Sequence, residues 1–216
     1  MVERKTFAVL DLFCGPRLHL LSEVRKRTEK NGKFLKYFGI DLHPHMNNIS
    51  PSVHGTENER IEVKHRAIQY NSASAFQELV NSTTKGEQVD EVHIHMPFGK
   101  PNDEFQFQVV ANALKKNGRF YLSTDISGLP PFKPRIISES NTAQTLRENI
   151  RDLKALLAKH GLKLERYGAQ NLEEQYWHHY PSSRNEAKVT AKIKDKLAES
   201  SYHDSHIAHF FIAKKI

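Results

Sequence analysis

Hydrophobic positions in this chain fall into short runs that switch between two periods. Phe7-Ala8-Val9-Leu10-Asp11-Leu12-Phe13 is a near-continuous apolar run, the signature of a buried strand, and it stops at Cys14-Gly15-Pro16. Leu18, Leu20, Leu21 and Val24 follow at helical spacing, with Asn31-Gly32 as the stop. Residues 35–43 read as a second strand, the polar stretch 50–60 as a loop and 61–68 as a third strand. A helix over 74–82 carries Phe76, Leu79 and Val80 on one face. In the fourth strand, 89–97, Val92, Ile94 and Met96 alternate with Glu91, His93 and His95. A helix over 105–117 closes on Lys115-Lys116 and Asn117-Gly118, and a fifth strand runs over 119–125. The longest helix, 142–160, bears Leu146, Ile150, Leu153 and Leu157 and stops at Gly161; strands follow at 162–169 and 207–213.

Strands alternating with helices predict an α/β protein built on a parallel sheet, and such sheets bind ligands beyond the carboxyl ends of their strands. The turn from Asp11 to Arg17 then lies at the mouth of a site, where Gly15 lets backbone approach a ligand without a Cβ in the way. Asp41, at the tip of the second strand, lies 26 residues past Gly15, near the roughly 20-residue spacing at which an acidic residue meets ribose hydroxyls in nucleotide-binding folds. The alternative for Asp41 is a cap on the turn at His43-Pro44. Pro97-Phe98-Gly99-Lys100-Pro101-Asn102-Asp103, after the fourth strand, has the place and stiffness of a substrate loop.

Composition narrows the classes. The 216 residues, 26% charged and 38% hydrophobic, suit one globular domain with a sizeable core. There is no apolar run of membrane-spanning length, and Val2-Glu3-Arg4-Lys5-Thr6 leads straight into the first strand, so a cytoplasmic protein without membrane attachment is expected. A single cysteine, Cys14, rules out an intrachain disulfide and a multi-cysteine zinc site. The net charge of +7 attracts polyanions, which makes nucleic acid the leading partner. Thirteen histidines include His93 and His95 on one strand face, but nothing fixes the convergence that a metal site needs, and no metal is expected. A Gly-x-Ser-x-Gly elbow is missing, and Arg17 and Leu20 fill the places of the other glycines in a dinucleotide fingerprint. Among the aromatics, Trp177 and Phe98 are the candidates to stack a splayed base, and Lys188, Lys192 and Lys196 share one face of a basic helix expected over 186–200.

Val9-Leu10-Asp11-Leu12-Phe13-Cys14-Gly15-Pro16 resembles the first motif of class I S-adenosylmethionine (SAM)-dependent methyltransferases; Arg17 stands where that family usually has a second glycine. The resemblance covers nearly the whole chain as one domain, with a basic helical insert around 171–205. It implies a Rossmann-like, seven-stranded, mostly parallel sheet with helices on both faces, and SAM as cofactor. Asp11, Phe13, Gly15, Pro16 and Arg17 would then surround the amino-acid part of SAM, Asp41 would hold the ribose, and Leu42 and Ile68 would line the cofactor site. A narrower likeness to tRNA guanine-7-methyltransferases rests on residues 92–100 and on Asn117–Asp125 with its Ser-Thr-Asp end, although Met96 replaces the loop Asp of those enzymes. It implies an acceptor pocket lined by His95, Pro97, Phe98 and Lys100, with Asp125 on the donor edge of a guanine and Trp177, Lys188 and Lys192 on the RNA. His95 is the candidate base if the acceptor must lose a proton. Methylation of a nucleobase in RNA is the first expectation. The alternatives are a catalytically silent RNA-binding protein of the same fold, and an amino-group methyltransferase acting on DNA or a small molecule.

Overall fold

A computed structural model describes residues 5–12, 14, 18–41, 56–65, 73–95, 105–125, 142–171 and 207–216. Their order is β1 (Thr6–Leu12), α1 (His19–Lys30), β2 (Phe34–Asp41), β3 (Glu59–His65), α2 (Ala73–Thr84), β4 (Val89–His95), α3 (Phe105–Ala113), β5 (Leu114–Asp125), α4 (Thr142–Lys159), β6 (Leu162–Asn171) and β7 (Ile207–Lys215). The strands form one seven-stranded sheet in the order β3-β2-β1-β4-β5-β7-β6, with β1, β2, β3 and β4 parallel and β6 antiparallel to β7. The α/β sheet expected from the alternating periods is therefore present. The basic helix expected over 186–200 falls outside the described residues. The chain divides into two compact units, Met1–His95 with Val109–Phe120, and Met96–Gln108 with Tyr121–Ile216.

In the first unit β1 is central, paired with β2 on one side and β4 on the other. Its run of apolar residues is explained by burial on both faces, as a central parallel strand requires. On one face Val9, Leu35 and Tyr37 pack with Leu18, Leu20, Leu21 and Val24 around α1, with Phe7, Ile61 and Val63 at the edge. On the other, Leu10, Leu12, Phe38 and Ile40 are buried. There the ammonium of Lys64, a register neighbour of Ile40, donates to the Ser82 carbonyl of α2 at 2.8 Å, so the two helices lie on opposite faces. Each large apolar side chain buried in this way stabilises the fold by about 1.5–3 kcal/mol.

In the second unit Ile150, Leu153, Leu156 and Leu157 make the buried stripe of α4, which packs on β6. Gly161, at φ 68°, turns the chain from α4 into β6, as its position after the apolar stripe predicts. The Gly161 carbonyl accepts from the backbone N–H of Ile216 at 3.0 Å, closing the end of the β6–β7 ladder.

Most boundaries differ from the sequence expectation by only a few residues, and the largest difference lies between α3 and β5. The Lys115-Lys116-Asn117-Gly118 segment, expected as the cationic last turn of a helix, belongs to β5, and α3 ends at Ala113. Tertiary contacts outweigh the C-cap signal here. The Lys115 ammonium donates to Asp90 Oδ2 at 2.9 Å, and a Cβ on Gly118 would lie 2.9 Å from the Lys115 carbonyl oxygen and 3.1 Å from that of Asp90. Asn117, at φ 66°, takes the left-handed conformation that the sharp bend demands.

Candidate functional site

The carboxyl ends of β1 and β2 carry two carboxylates side by side. Asp11 pairs with Gly39 in the β1–β2 register, and Asp41 lies two residues further along β2 on the same face of the sheet. Both are buried, with 2% of Asp11 and 6% of Asp41 exposed. Tyr37, two residues before Gly39 on that face, donates its hydroxyl to Asp11 Oδ2 at 2.5 Å. Burial drives the Asp11 carboxyl up to about 7, against the lowering effect of the Tyr37 hydrogen bond, and the nearby Asp41 charge pushes the same way as burial. Among the described residues Asp11 accepts no other hydrogen bond.

Beyond β1 the chain leans over β2. The Cys14 N–H donates to the Ile40 carbonyl at 3.2 Å, and the Cys14 sulfur occupies the space that a side chain on Gly39 would take. A Cβ there would sit 3.1 Å from Cys14 Sγ, 3.2 Å from Val63 Cγ2 and 3.3 Å from Tyr37 Cε1. Gly39 is thus what lets Cys14 lie against the tip of β2. Burial first, and then the charges of Asp11 and Asp41, hold the Cys14 thiol protonated far above its ordinary range, which leaves it unreactive. Leu18, on the far side of the turn, adopts left-handed dihedrals, φ 46° and ψ 48°, at a cost of about 1–2 kcal/mol for a side-chain-bearing residue. Its buried side chain packs with Val9, Cys14, Leu21 and Tyr37, which holds that conformation in place. Backbone strain of this kind clusters at ligand-binding turns.

On the other side of Asp11, His93 of β4 is its register partner and is 1% exposed. The residues Glu91 and His93, whose alternation reads as a polar strand face, are enclosed beneath α1. Arg27 of α1 donates to both Glu91 oxygens, at 3.1 and 2.6 Å, and His93 Nε2 lies 3.0 Å from Glu91 Oε2. Burial lifts the Glu91 carboxyl, but the hydrogen bonds and charges of His93 and Arg27 outweigh it and bring it down to about 2. Burial is the largest influence on His93 and lowers its basicity, while the hydrogen bond and charge of Glu91 work in the opposite direction. His93 is bonded locally, and no cluster of three or more metal-ligating side chains occurs among the described residues.

Of the residues singled out from the sequence, Asp11 and Asp41 are brought together. His95 and Asp125 end β4 and β5, and Phe13, Gly15, Pro16, Arg17, Leu42, Ile68, Pro97, Phe98, Lys100, Trp177, Lys188 and Lys192 lie outside the described residues. Tyr37, Glu91 and His93 escaped notice as parts of the site. Their sequence signal is a polar atom at strand positions where an apolar side chain would pack at lower cost.

Comparison with known proteins bears on the fold. No family model matches the chain, and no curated protein matches it in sequence. Among solved structures, the 16S rRNA methyltransferase KamB superposes with a TM-score of 0.53 at 14% identity, over 99% of this chain and 90% of its own. The Haloferax volcanii protein solved in complex with the methyltransferase activator Trm112 gives 0.51 at 14% identity, over 100% and 84%. A SAM-dependent methyltransferase from Methanosarcina mazei gives 0.50 at 12% identity, over 99% and 94%. The chain therefore has the α/β fold of SAM-dependent methyltransferases. Among the described residues, no helix is long and apolar enough to cross a membrane.

Proposed function

We propose that this protein binds SAM at the carboxyl ends of β1 and β2 and transfers its methyl group to a nucleobase in RNA. The observation that carries this reading is the buried pair Asp11 and Asp41 on adjacent parallel strands, beside Cys14, which the absence of a side chain on Gly39 lets lie against β2. A carboxylate at the tip of the second strand suits the two hydroxyls of a ribose, and a carboxylate near the tip of the first suits the α-ammonium group of the cofactor. Phe13, Gly15, Pro16 and Arg17 complete that end of the site, and Leu42 and Ile68 contribute apolar contacts. His95, Pro97, Phe98 and Lys100 line the acceptor pocket, and Asp125 meets the donor edge of a guanine, with guanine in tRNA as the first acceptor to try.

SAM held there would supply an electrophilic methyl group on a sulfonium for in-line transfer to an acceptor nitrogen, with S-adenosylhomocysteine as the leaving group. The protein's part is to orient the two reactants and exclude water. Where the acceptor nitrogen carries a proton, His95 takes it. The net charge of +7 supports a polyanionic acceptor, with Trp177 stacking and Lys188 and Lys192 on phosphates, and the rRNA methyltransferase among the structural neighbours favours RNA.

The test is incubation with labelled SAM and total RNA, with DNA in parallel, followed by digestion to nucleosides. Label in a modified RNA nucleoside is the expected result. Label in DNA alone contradicts the acceptor, and SAM binding without transfer to either nucleic acid supports a silent RNA-binding protein instead.

A further inference from the structure

Asp11 sits between two polar neighbours that hold it differently. From β2, Tyr37 ties one oxygen, Oδ2; the other oxygen accepts no hydrogen bond from any described residue, although Asp11 is 2% exposed. From β4, His93 stands at the same level in the register but is engaged with Glu91. The Tyr37 ring is itself fully enclosed, packed in the α1 cluster and against the site where Gly39 lacks a side chain. A buried phenol with an immobile ring holds its partner's rotamer closely.

We infer that Tyr37 is a positioning residue of the cofactor site: its hydroxyl fixes the Asp11 side chain through Oδ2 and leaves Oδ1 to meet the α-ammonium group of the cofactor. The role rests on the cofactor assignment proposed above. A carboxylate buried this deeply attracts a cation only when ionised, and the hydrogen bond from Tyr37 favours the ionised form against burial and against the Asp41 charge. Among the described residues, the groups facing Asp11 are Tyr37 and Asp41 of β2, Cys14 after β1 and, by register, His93 of β4. Behind His93 stand Glu91 of β4 and, from α1, Arg27 and Glu23. Burial and the Asp11 charge keep the Tyr37 phenol protonated well above its ordinary range, so it remains a donor throughout the working pH range.

Tyr37→Phe keeps the ring and removes only the hydroxyl. Calorimetric titration with S-adenosylhomocysteine from pH 5.5 to 8.5 reads the effect. In the unaltered protein affinity should rise with pH through about 7, following Asp11. Loss of a hydrogen bond to a charged group should move that midpoint up by about one to two pH units, weaken binding roughly tenfold at pH 7 and let the gap close as pH rises. A purely structural role for Tyr37 would lower affinity equally at every pH and leave the midpoint in place, which would overturn the inference. Asp11→Asn gives a second reading: its profile should lose the rise near pH 7 altogether, and a retained rise assigns the titration to another group and removes the role of Tyr37. Absence of binding to the unaltered protein at every pH removes the cofactor assignment and this role with it, whereas binding with an unmoved midpoint in Tyr37→Phe removes the role alone.

Discussion

Asp11→Asn should make the ligand-free protein more stable at alkaline pH even as it damages the proposed site. The Asp11 carboxyl is raised by burial from 3.8 to about 7, so the native state holds its proton more tightly than the unfolded chain does. The stability of the unaltered protein is therefore full below pH 3.8, falls as pH rises and has lost this contribution above about pH 7. At 1.36 kcal/mol per unit the whole loss is about 4 kcal/mol, of which about 2.5 kcal/mol falls between pH 5 and 8. Asparagine mimics the protonated acid and still accepts from the Tyr37 hydroxyl, but its amide N–H group is left buried, at a cost of about 1–3 kcal/mol. The net gain at pH 8 is about 2 kcal/mol, worth roughly 4–8 °C in a chain of this size, and the sign should reverse near pH 5. Thermal unfolding of both proteins from pH 5 to 8.5 measures it. A difference between them that stays constant over that range would show that Asp11 does not titrate there, and the electrostatic account of the site would fail.

Other substitutions probe the same region and its surroundings. Gly39→Ala should destabilise by about 1–3 kcal/mol in urea unfolding, because the added methyl meets Cys14 Sγ at 3.1 Å and two further side chains in a packed core. Glu91→Gln removes the carboxylate that holds Arg27 and His93; with the Arg27 side chain 37% exposed and able to hydrate, the expected loss is about 1–2 kcal/mol by the same measurement. Gln106→Met should stabilise by about 1–2 kcal/mol, since Gln106 in the first turn of α3 is 3% exposed and its amide nitrogen has no hydrogen-bond partner among the described residues. Unchanged or lower stability in that variant would mean that the amide is satisfied in solution.

Most of the fold could be read from the chain because its signals are local. The run from Phe7 to Leu12 is apolar but for Asp11 since β1 is flanked by two strands and covered on one face by α1, and Gly32 and Gly161 mark helix ends by a positive φ that few other residues tolerate. The place of Asp41 at the end of β2 was legible for a similar reason, since the apolar run of that strand stops there. The end of α3 was not, because Gly118 serves close packing against Asp90 and Lys115 rather than a helix stop, and the two uses of glycine look alike in sequence. Tyr37 was hidden in an apolar strand where its ring alone explains its presence; only the register that sets it near Asp11 reveals a use for the hydroxyl. The alternation of Glu91 and His93 has the same origin. Period two reports which residues share a face and leaves open whether water or α1 covers it.

Calorimetric titration of the unaltered protein with SAM at pH 8, beside Asp41→Ala, tests the central claim most directly. Removing a buried carboxylate that accepts hydrogen bonds from ribose hydroxyls costs about 1.5–3 kcal/mol, so the variant should bind roughly tenfold to a hundredfold more weakly while keeping its fold by circular dichroism. No binding to the unaltered protein, or equal binding by both, would contradict a SAM site at the carboxyl ends of β1 and β2.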